Sequence, residues 1–535
     1  MEDKPQFGRL EHRSQLDASH HPNGPSDTAT FAASNTTGVS LSANTEVNGI
    51  VFNAGASAFT ITVSPTPTAD TTLTISGVGI SNNSGIAQNF VTSVNGVGRF
   101  GTIAFTNSAT AGSGTVFTNN GGTANNGGII QFFNTSTAGD GTFTNNGGTV
   151  SGEEGAFTEF FDTSTAGNGT FITNGGVSGA FRGFTEFFGS STPGNGIFIN
   201  NGGTVSGAEG GEIEFFDTST AGNGTFIING GAVSGASGGQ LVFMTRSTAG
   251  NAILIANSGL GGGAGGLIQL TGSSVADMAR VELFGNGNLD MSFRRRGVTI
   301  GSIEGSGLVF LGAFKMSVGS NNASTTFSGL IQDGGGNGGT GGSLTKIGTG
   351  KLVLTNANTY TGETTIKHGK LVVNNRQGSG TGSGPVQVNG GTLGGKGTVA
   401  GGVTVGTGIG SGAVLSPGYQ HGANKLGALT IQSTLTFNAD GTYQAEPNSS
   451  TTTADEVIAN GVTINSGAQF SFADLGTGTL PPGTVFTVID NTEATPIAGT
   501  FSNLPDGSTF TSNGNTYQVN YESGDGNDLT LTVIP

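Results

Sequence analysis

Glu159, Glu186 and Glu214 recur 27 and 28 residues apart, each followed at once by two phenylalanines, and Asp162 and Asp217 stand three positions after the first and the last. Carboxylates held close together repel, which raises their proton affinity or recruits a cation. Clustered acids, or a bound Ca²⁺ with a Lys or Arg base, can cleave an acidic polysaccharide. Here no Lys or Arg recurs beside the acids, and one carboxylate per period is the pattern of a solvated outer face. Catalysis is therefore the second reading of these residues. Beside the acids run Phe133, Phe161, Phe188 and Phe216. Facing outward they would make an aromatic strip suited to glycans or partner proteins. Turned inward at a corner they would be a buried stack, and that reading is preferred.

A repeat must position both columns. Thr-Ala-Gly occurs at 110–112, 137–139, 165–167, 220–222 and 248–250, with Thr-Pro-Gly at 192–194. A fixed period of 27 or 28 residues, with short apolar bursts between Gly and Asn, is the signature of stacked coils. Alignment on the threonines exposes the columns. Nine residues on stand Asn119, Asn146, Asn174, Asn201, Asn229 and Asn257, expected as an amide ladder at a turn with rungs ~4.8 Å apart. Six residues on stand Val116, Phe143, Phe171, Phe198, Phe226 and Leu254, expected inside. Five residues before come Phe105, Phe132, Phe160, Phe187, Phe215 and Phe243, also expected inside, so that the preceding Glu159, Glu186 and Glu214 face water. Each coil then has about three short strands: one ending in Phe-Phe, one at Gly-Thr-Phe, and one at Thr-Val-Ser-Gly, as at 149–152 and 204–207. The fold expected is all-β, a parallel β-helix, in which the coil itself returns the chain between parallel strands.

Composition agrees. Of 535 residues 101 are glycine and 10% are charged, and no sustained apolar spacing of three and four supports helices. With 33% hydrophobic residues and 35 phenylalanines the chain can still bury a core. A net charge of −16 argues against nucleic acid; Arg294, Arg295 and Arg296 are too few for a phosphate-tracking stripe. Without cysteine there are no disulfides, thiolate metal sites or cysteine nucleophiles. No run approaches 18 apolar residues, so no membrane-spanning helix is expected. Met1 to His21 is polar and lacks the apolar segment of a secretory signal.

At 341–374 the chain resembles the autotransporter-associated β-strand repeat, also called the passenger-associated transport repeat. The matching positions are Leu344, Lys346, Gly348, Gly350, Leu352, Leu354, Asn358, Tyr360, Thr361, Gly362, Ile366, Gly369, Leu371 and Val373. Looser similarity continues to 527–533, which resembles the last strand of such passengers. The resemblance implies a right-handed parallel β-helix, secreted or at the cell surface, with the repeat aiding export and folding; it carries no shared catalytic residues. Such proteins often have a C-terminal membrane barrel of a few hundred residues, and none is expected within the sequence up to Pro535.

The expected organisation is a disordered segment at 1–26, irregular coils at 27–100, the regular array at 101–262, irregular coils with a Gly-rich loop at 263–340, the family repeat at 341–400, and a C-terminal β-helix with its cap at 401–535. The functional expectation is a non-enzymatic, adhesin-like or structural protein without cofactor or metal, whose partners are glycans or surface proteins of a host or neighbouring cell. A carbohydrate-active enzyme is the alternative. The Gly390 to Gly397 run has Gly397 where a phosphate loop needs Ser or Thr, and the single turn at 524–528 is too little for a calcium repeat.

Overall fold

The computed structural model describes residues 22–418 and 426–535, and these contain strands and turns with no helix among them. The chain folds as two compact units, Met1–Asp290 and Met291–Pro535.

In the first unit successive strands alternate between two parallel sheets. One sheet takes Gly101–Phe105, Ile129–Phe132, Phe157–Phe160, Phe184–Phe187, Glu212–Phe215 and Gln240–Phe243 in order. The other takes Ser113–Asn119, Asp140–Asn145, Thr170–Thr173, Ile197–Asn200, Thr225–Ile228 and Ile253–Ala256. Each strand pairs with its equivalent one coil away, which makes this a parallel β-helix. The pairing extends back through Thr71–Asn82 and Thr45–Phe52 to Gly24–Phe31. That last strand begins inside the segment expected to be disordered at 1–26; the rest of the segment, 1–21, lies outside the described residues.

The repeated Thr-Ala-Gly is a corner whose parts have separate causes. Each threonine hydroxyl accepts the N–H of the glycine two residues on, at 3.0 to 3.2 Å. The intervening alanine is buried, and the glycine has φ between 54° and 76°, where a side chain would be strained.

Inside, two phenylalanine ladders face one another. Phe105, Phe132, Phe160, Phe187, Phe215 and Phe243 stack at 4.7 to 4.9 Å. Phe117, Phe143, Phe171, Phe198 and Phe226 stack at 4.5 to 4.8 Å. Across the core the two meet edge to face, as Phe160 meets Phe171 at 5.6 Å and 72°. Offset stacking and edge-to-face contact are the favoured geometries of the ring quadrupole.

Two features differ from the sequence expectation. Thr-Val-Ser-Gly at 149–152 and 204–207 is a turn, with Val150 and Val205 exposed at 46% and 47%. The array therefore has two strands per coil, and its third side consists of turns stacked through backbone bonds such as Gly207 N–H to Gly235 O at 2.9 Å. The threonine alignment also slips in the first coil. Phe117, and not Val116, pairs with Phe143, and Asn119 pairs with Asn145. The register shifts by one between Ser113 and Val116, where Gly114 with φ 63° absorbs an extra residue as a bulge. Asn119 therefore leaves the corner column and is buried, bonding Asn145 Oδ1 at 3.2 Å. Asn120 takes its place beside Asn146. Along that column Asn174 donates to Asn146, Asn201 to Asn174, Asn229 to Asn201 and Asn257 to Asn229, at 2.9 to 3.0 Å.

The second unit has three strands in the coil of Lys315–Val318, Thr325–Phe327 and Leu330–Gln332, and again in the coils from 386 onward. One column runs Thr364–Ile366, Val386–Val388, Val403–Val405, Leu435–Phe437, Val462–Ile464. The next runs Lys370–Val373, Gly391–Gly395, Ala413–Pro417, Gly441–Ala445, Gln469–Phe472. A third takes Thr398–Val399, Ala428–Ile431, Glu456–Ala459 and Val485–Asn491. Val485–Asn491 then pairs antiparallel with Asp528–Ile534, which pairs antiparallel with Asn515–Ser523, ending the parallel stack.

Truncating a ladder ring should cost more than breaking an amide rung. Phe171→Ala is expected to lower stability by about 3–5 kcal/mol, Asn174→Ala by about 1–2 kcal/mol through the two amide bonds it removes, and Val205→Ala by no more than about 0.5 kcal/mol. Urea unfolding checks the order, and equal losses at Phe171 and Val205 would refute the core assignment.

Candidate ligand-binding face

Strand alternation sends every second residue of the first sheet outward, and three outer columns result. Phe157 pairs with Phe184 and then Glu212; Gln131 with Glu159, Glu186 and Glu214; and Phe133, Phe161, Phe188 and Phe216 follow at the strand ends. All are partly exposed, whereas Phe132, Phe160, Phe187 and Phe215 between them are fully buried. The second phenylalanine therefore does not turn into the core as the preferred reading expected. The corner comes one residue later, at Asn134, Asp162, Gly189 and Asp217, all with φ of 52° to 63°. Asp162 and Asp217 are consumed there, accepting the backbone N–H of Asn134 at 2.8 Å and of Gly189 at 3.2 Å one coil back.

The outer rings stack at 4.7 to 5.0 Å with planes within 7° of parallel. Phe157 and Phe184 do the same at 4.8 Å. Rings stacked in this way cover one another's faces and present edges outward.

Between the two aromatic columns the acids manage their mutual repulsion in three ways. Gln131 donates to Glu159 at 2.8 Å. Glu186, pushed well above the ordinary carboxyl range by burial and then by the charges of Glu159 and Glu214, keeps its proton and shares it with Glu214. Arg182 bridges Glu209 and Glu212, both at 2.9 Å. Burial opposes the arginine's charge, but the bond to Glu209 and the charges of Glu212, Glu209 and Glu214 outweigh it and raise its pKa. Glu212 is pushed up to about 7, by burial first, against the pull of Arg182. Burial likewise raises Glu159, with the Gln131 bond opposing, and Glu214, with Glu186 and Arg182 opposing.

Arg182, Glu209, Glu212, Phe157 and Phe184 belong to this face and escape a search for recurring columns. Arg182 enters from the loop before its strand and occurs once, so no periodic signal marks it; it is, however, the sole basic residue between Arg99 and Arg246. The face can hold protons and present a wall that is nearly neutral in acid and negative in alkali. Among the described residues no group of three or more His, Asp or Glu is arranged to hold a metal ion.

Carboxyls with raised pKa bind more protons folded than unfolded, so they make stability fall as pH rises from about 4.5, the ordinary Glu value, to about 7 for Glu212 and beyond for Glu186. The melting temperature should decline across that window. Glu186→Gln, which keeps a neutral hydrogen-bonding group there, should be neutral to stabilising at pH 8 and should flatten the decline. A large loss of stability in Glu186→Gln would show that the ionised acid is what the face requires.

Two comparisons bear on this chain. Residues 344–373 match the family model described as Passenger-associated-transport-repeat. A 125-residue stretch, 22% of the chain, is 38% identical to "Adhesin BmaC autotransporter" of Brucella suis biovar 1 (strain 1330), of whose length the match covers 3%. In the second unit the repeat's residues do structural work. Asn358 accepts the Ile331 N–H at 2.8 Å and donates to the Gly380 carbonyl, and the buried Tyr360 hydroxyl meets Thr364 at 2.6 Å. Similarity in sequence and the observed architecture thus coincide: the chain is a parallel β-helix, and its residues 344–373 match the passenger-associated transport repeat.

Proposed function

We propose that this chain is a non-enzymatic passenger segment, secreted or held at a cell surface, with an adhesive or structural task, and that its repeat region aids export and folding. The observation that carries this reading is the 38% identity to a protein named an adhesin, joined to a coil whose core and corners are devoted to stacking. Its partners are glycans or proteins of a neighbouring surface, met through sides of the coil that stacking leaves free. The columns of Glu159, Glu186 and Glu214 and of Phe133, Phe161, Phe188 and Phe216 form one such side. The catalytic alternative has less support, because the acids stack along a wall, bonded to one another, to Gln131 and to Arg182.

Beads coated with the full chain should be retained on epithelial monolayers under flow several-fold better than beads coated with an unrelated acidic protein. Equal retention would defeat the adhesive reading, and release of reducing ends from a polysaccharide would favour the enzyme.

A further inference from the structure

Five coils of the array turn at an Asn-Gly pair, Asn120-Gly121, Asn146-Gly147, Asn174-Gly175, Asn201-Gly202 and Asn229-Gly230, and the sixth turns at Asn257-Ser258. A groove of about 480 Å³ follows this corner from Asn120 to Asn174, and a second of about 290 Å³ continues to Asn229; they share Asn174, Gly175 and Thr204, so one furrow crosses several coils. No ionisable side chain lines either part. The glycines are dictated by stacking, since a Cβ on Gly202 would lie 2.3 Å from the Gly230 carbonyl oxygen of the next coil. The asparagines are only partly committed. In the ladder each inner amide donates one N–H and accepts one bond, while an amide has two N–H donors and two acceptor sites. One donor and one acceptor therefore remain at Asn174, Asn201 and Asn229, on partly exposed side chains. Thr204 and Val177, both exposed, stand along the edge.

We propose that this Asn-Gly furrow binds a neutral, hydroxyl-rich polysaccharide strand laid along the stack. A hydroxyl both donates and accepts, so it answers the donor and acceptor left on each rung. The uncharged lining selects against acidic or basic chains. A peptide strand fits less well. Its same-side groups recur about every 6.6–6.8 Å, so it drops out of step with rungs ~4.8 Å apart, whereas sugar rings carrying several hydroxyls each need no fixed register. The outer phenylalanines are not the sugar site, since their faces are covered by one another. This inference rests on the surface-passenger reading and supplies its ligand class.

Affinity electrophoresis of the full chain in native gels cast with galactomannan, dextran or heparin tests it. Retardation by galactomannan or dextran is expected, with apparent affinity reduced at least tenfold in Thr204→Trp and in Val177→Trp, exposed positions where added bulk closes the furrow. On the unaltered chain, the retarding polysaccharide should also slow amide hydrogen exchange in segments 146–149 and 174–177. Retardation by heparin alone, by none of the three, or without exchange protection at the corner overturns the proposal. So does retardation undiminished in both variants. If beads adhere to cells while the neutral glycans have no effect, the furrow assignment falls and the surface reading stands; if beads do not adhere either, both fall.

Discussion

Hydrogen-bonded parallel strands lie about 4.8 Å apart, and that distance is also one at which phenyl rings can stack in offset contact. The array is built on this coincidence: its inner rings repeat at 4.5 to 4.9 Å. A ring in one coil fixes the height of the ring above, and the two ladders meeting edge to face fix the two sheets against each other. Every other column inherits the same repeat whether or not its chemistry suits it. For amides the repeat is favourable, because Asn side chains can donate up one rung and accept from the next. For methyl groups, as in the buried alanines of Thr-Ala-Gly, it is merely tolerable.

For carboxylates it is unfavourable, and the outer face bears the consequence. Three glutamates held at strand spacing and partly withdrawn from water cannot all ionise at low cost. The three glutamates are therefore flanked in their column by uncharged Gln131 and Val242, and between these the column relies on a retained proton at Glu186 and on Arg182 reaching in from a loop. The single arginine serves two acids of its own and lowers the field on Glu214. The acids are thus coupled to the stacking that places them. A face that is easily neutralised in acid is a product of geometry alone.

The same constraint decides how much of the molecule was legible in the sequence. Columns that repeat without interruption, such as Phe160, Phe187 and Phe215, announce their burial because stacking demands the same residue in each coil. The amide corner was legible for the same reason from Asn146 to Asn257. Local backbone events were not. The one-residue bulge at Gly114 left the threonine spacing intact while moving Val116 and Asn119 off their columns, and nothing in a glycine-rich chain distinguishes that glycine from its neighbours. The Phe-Phe pair hid its corner likewise, because Asn134, Asp162, Gly189 and Asp217 share a left-handed backbone and not a residue type. Thr-Val-Ser-Gly has strand-like composition but is too short and too close to Gly-Gly to extend, so a turn won.

The family repeat makes the separation between stacking and recognition sharper. Lys346 is buried and gives its protons to the backbone carbonyls of Ile347, Gly348 and His368, and burial pushes its pKa down to about 8. Gly348 and Gly369, with φ of 67° and 70°, form the corners around it. A lysine enclosed by carbonyls ties one coil to the next and offers nothing to a ligand, and the same holds for Asn358 and the buried hydroxyl of Tyr360. What residues 344–373, which match the family model, supply in this chain is therefore a way of closing and stacking a coil. In the regular array, by contrast, stacking leaves uncommitted the second N–H and acceptor of Asn174, Asn201 and Asn229 and the edges of the outer rings, the atoms on which the proposed recognition draws or which remain open beside it.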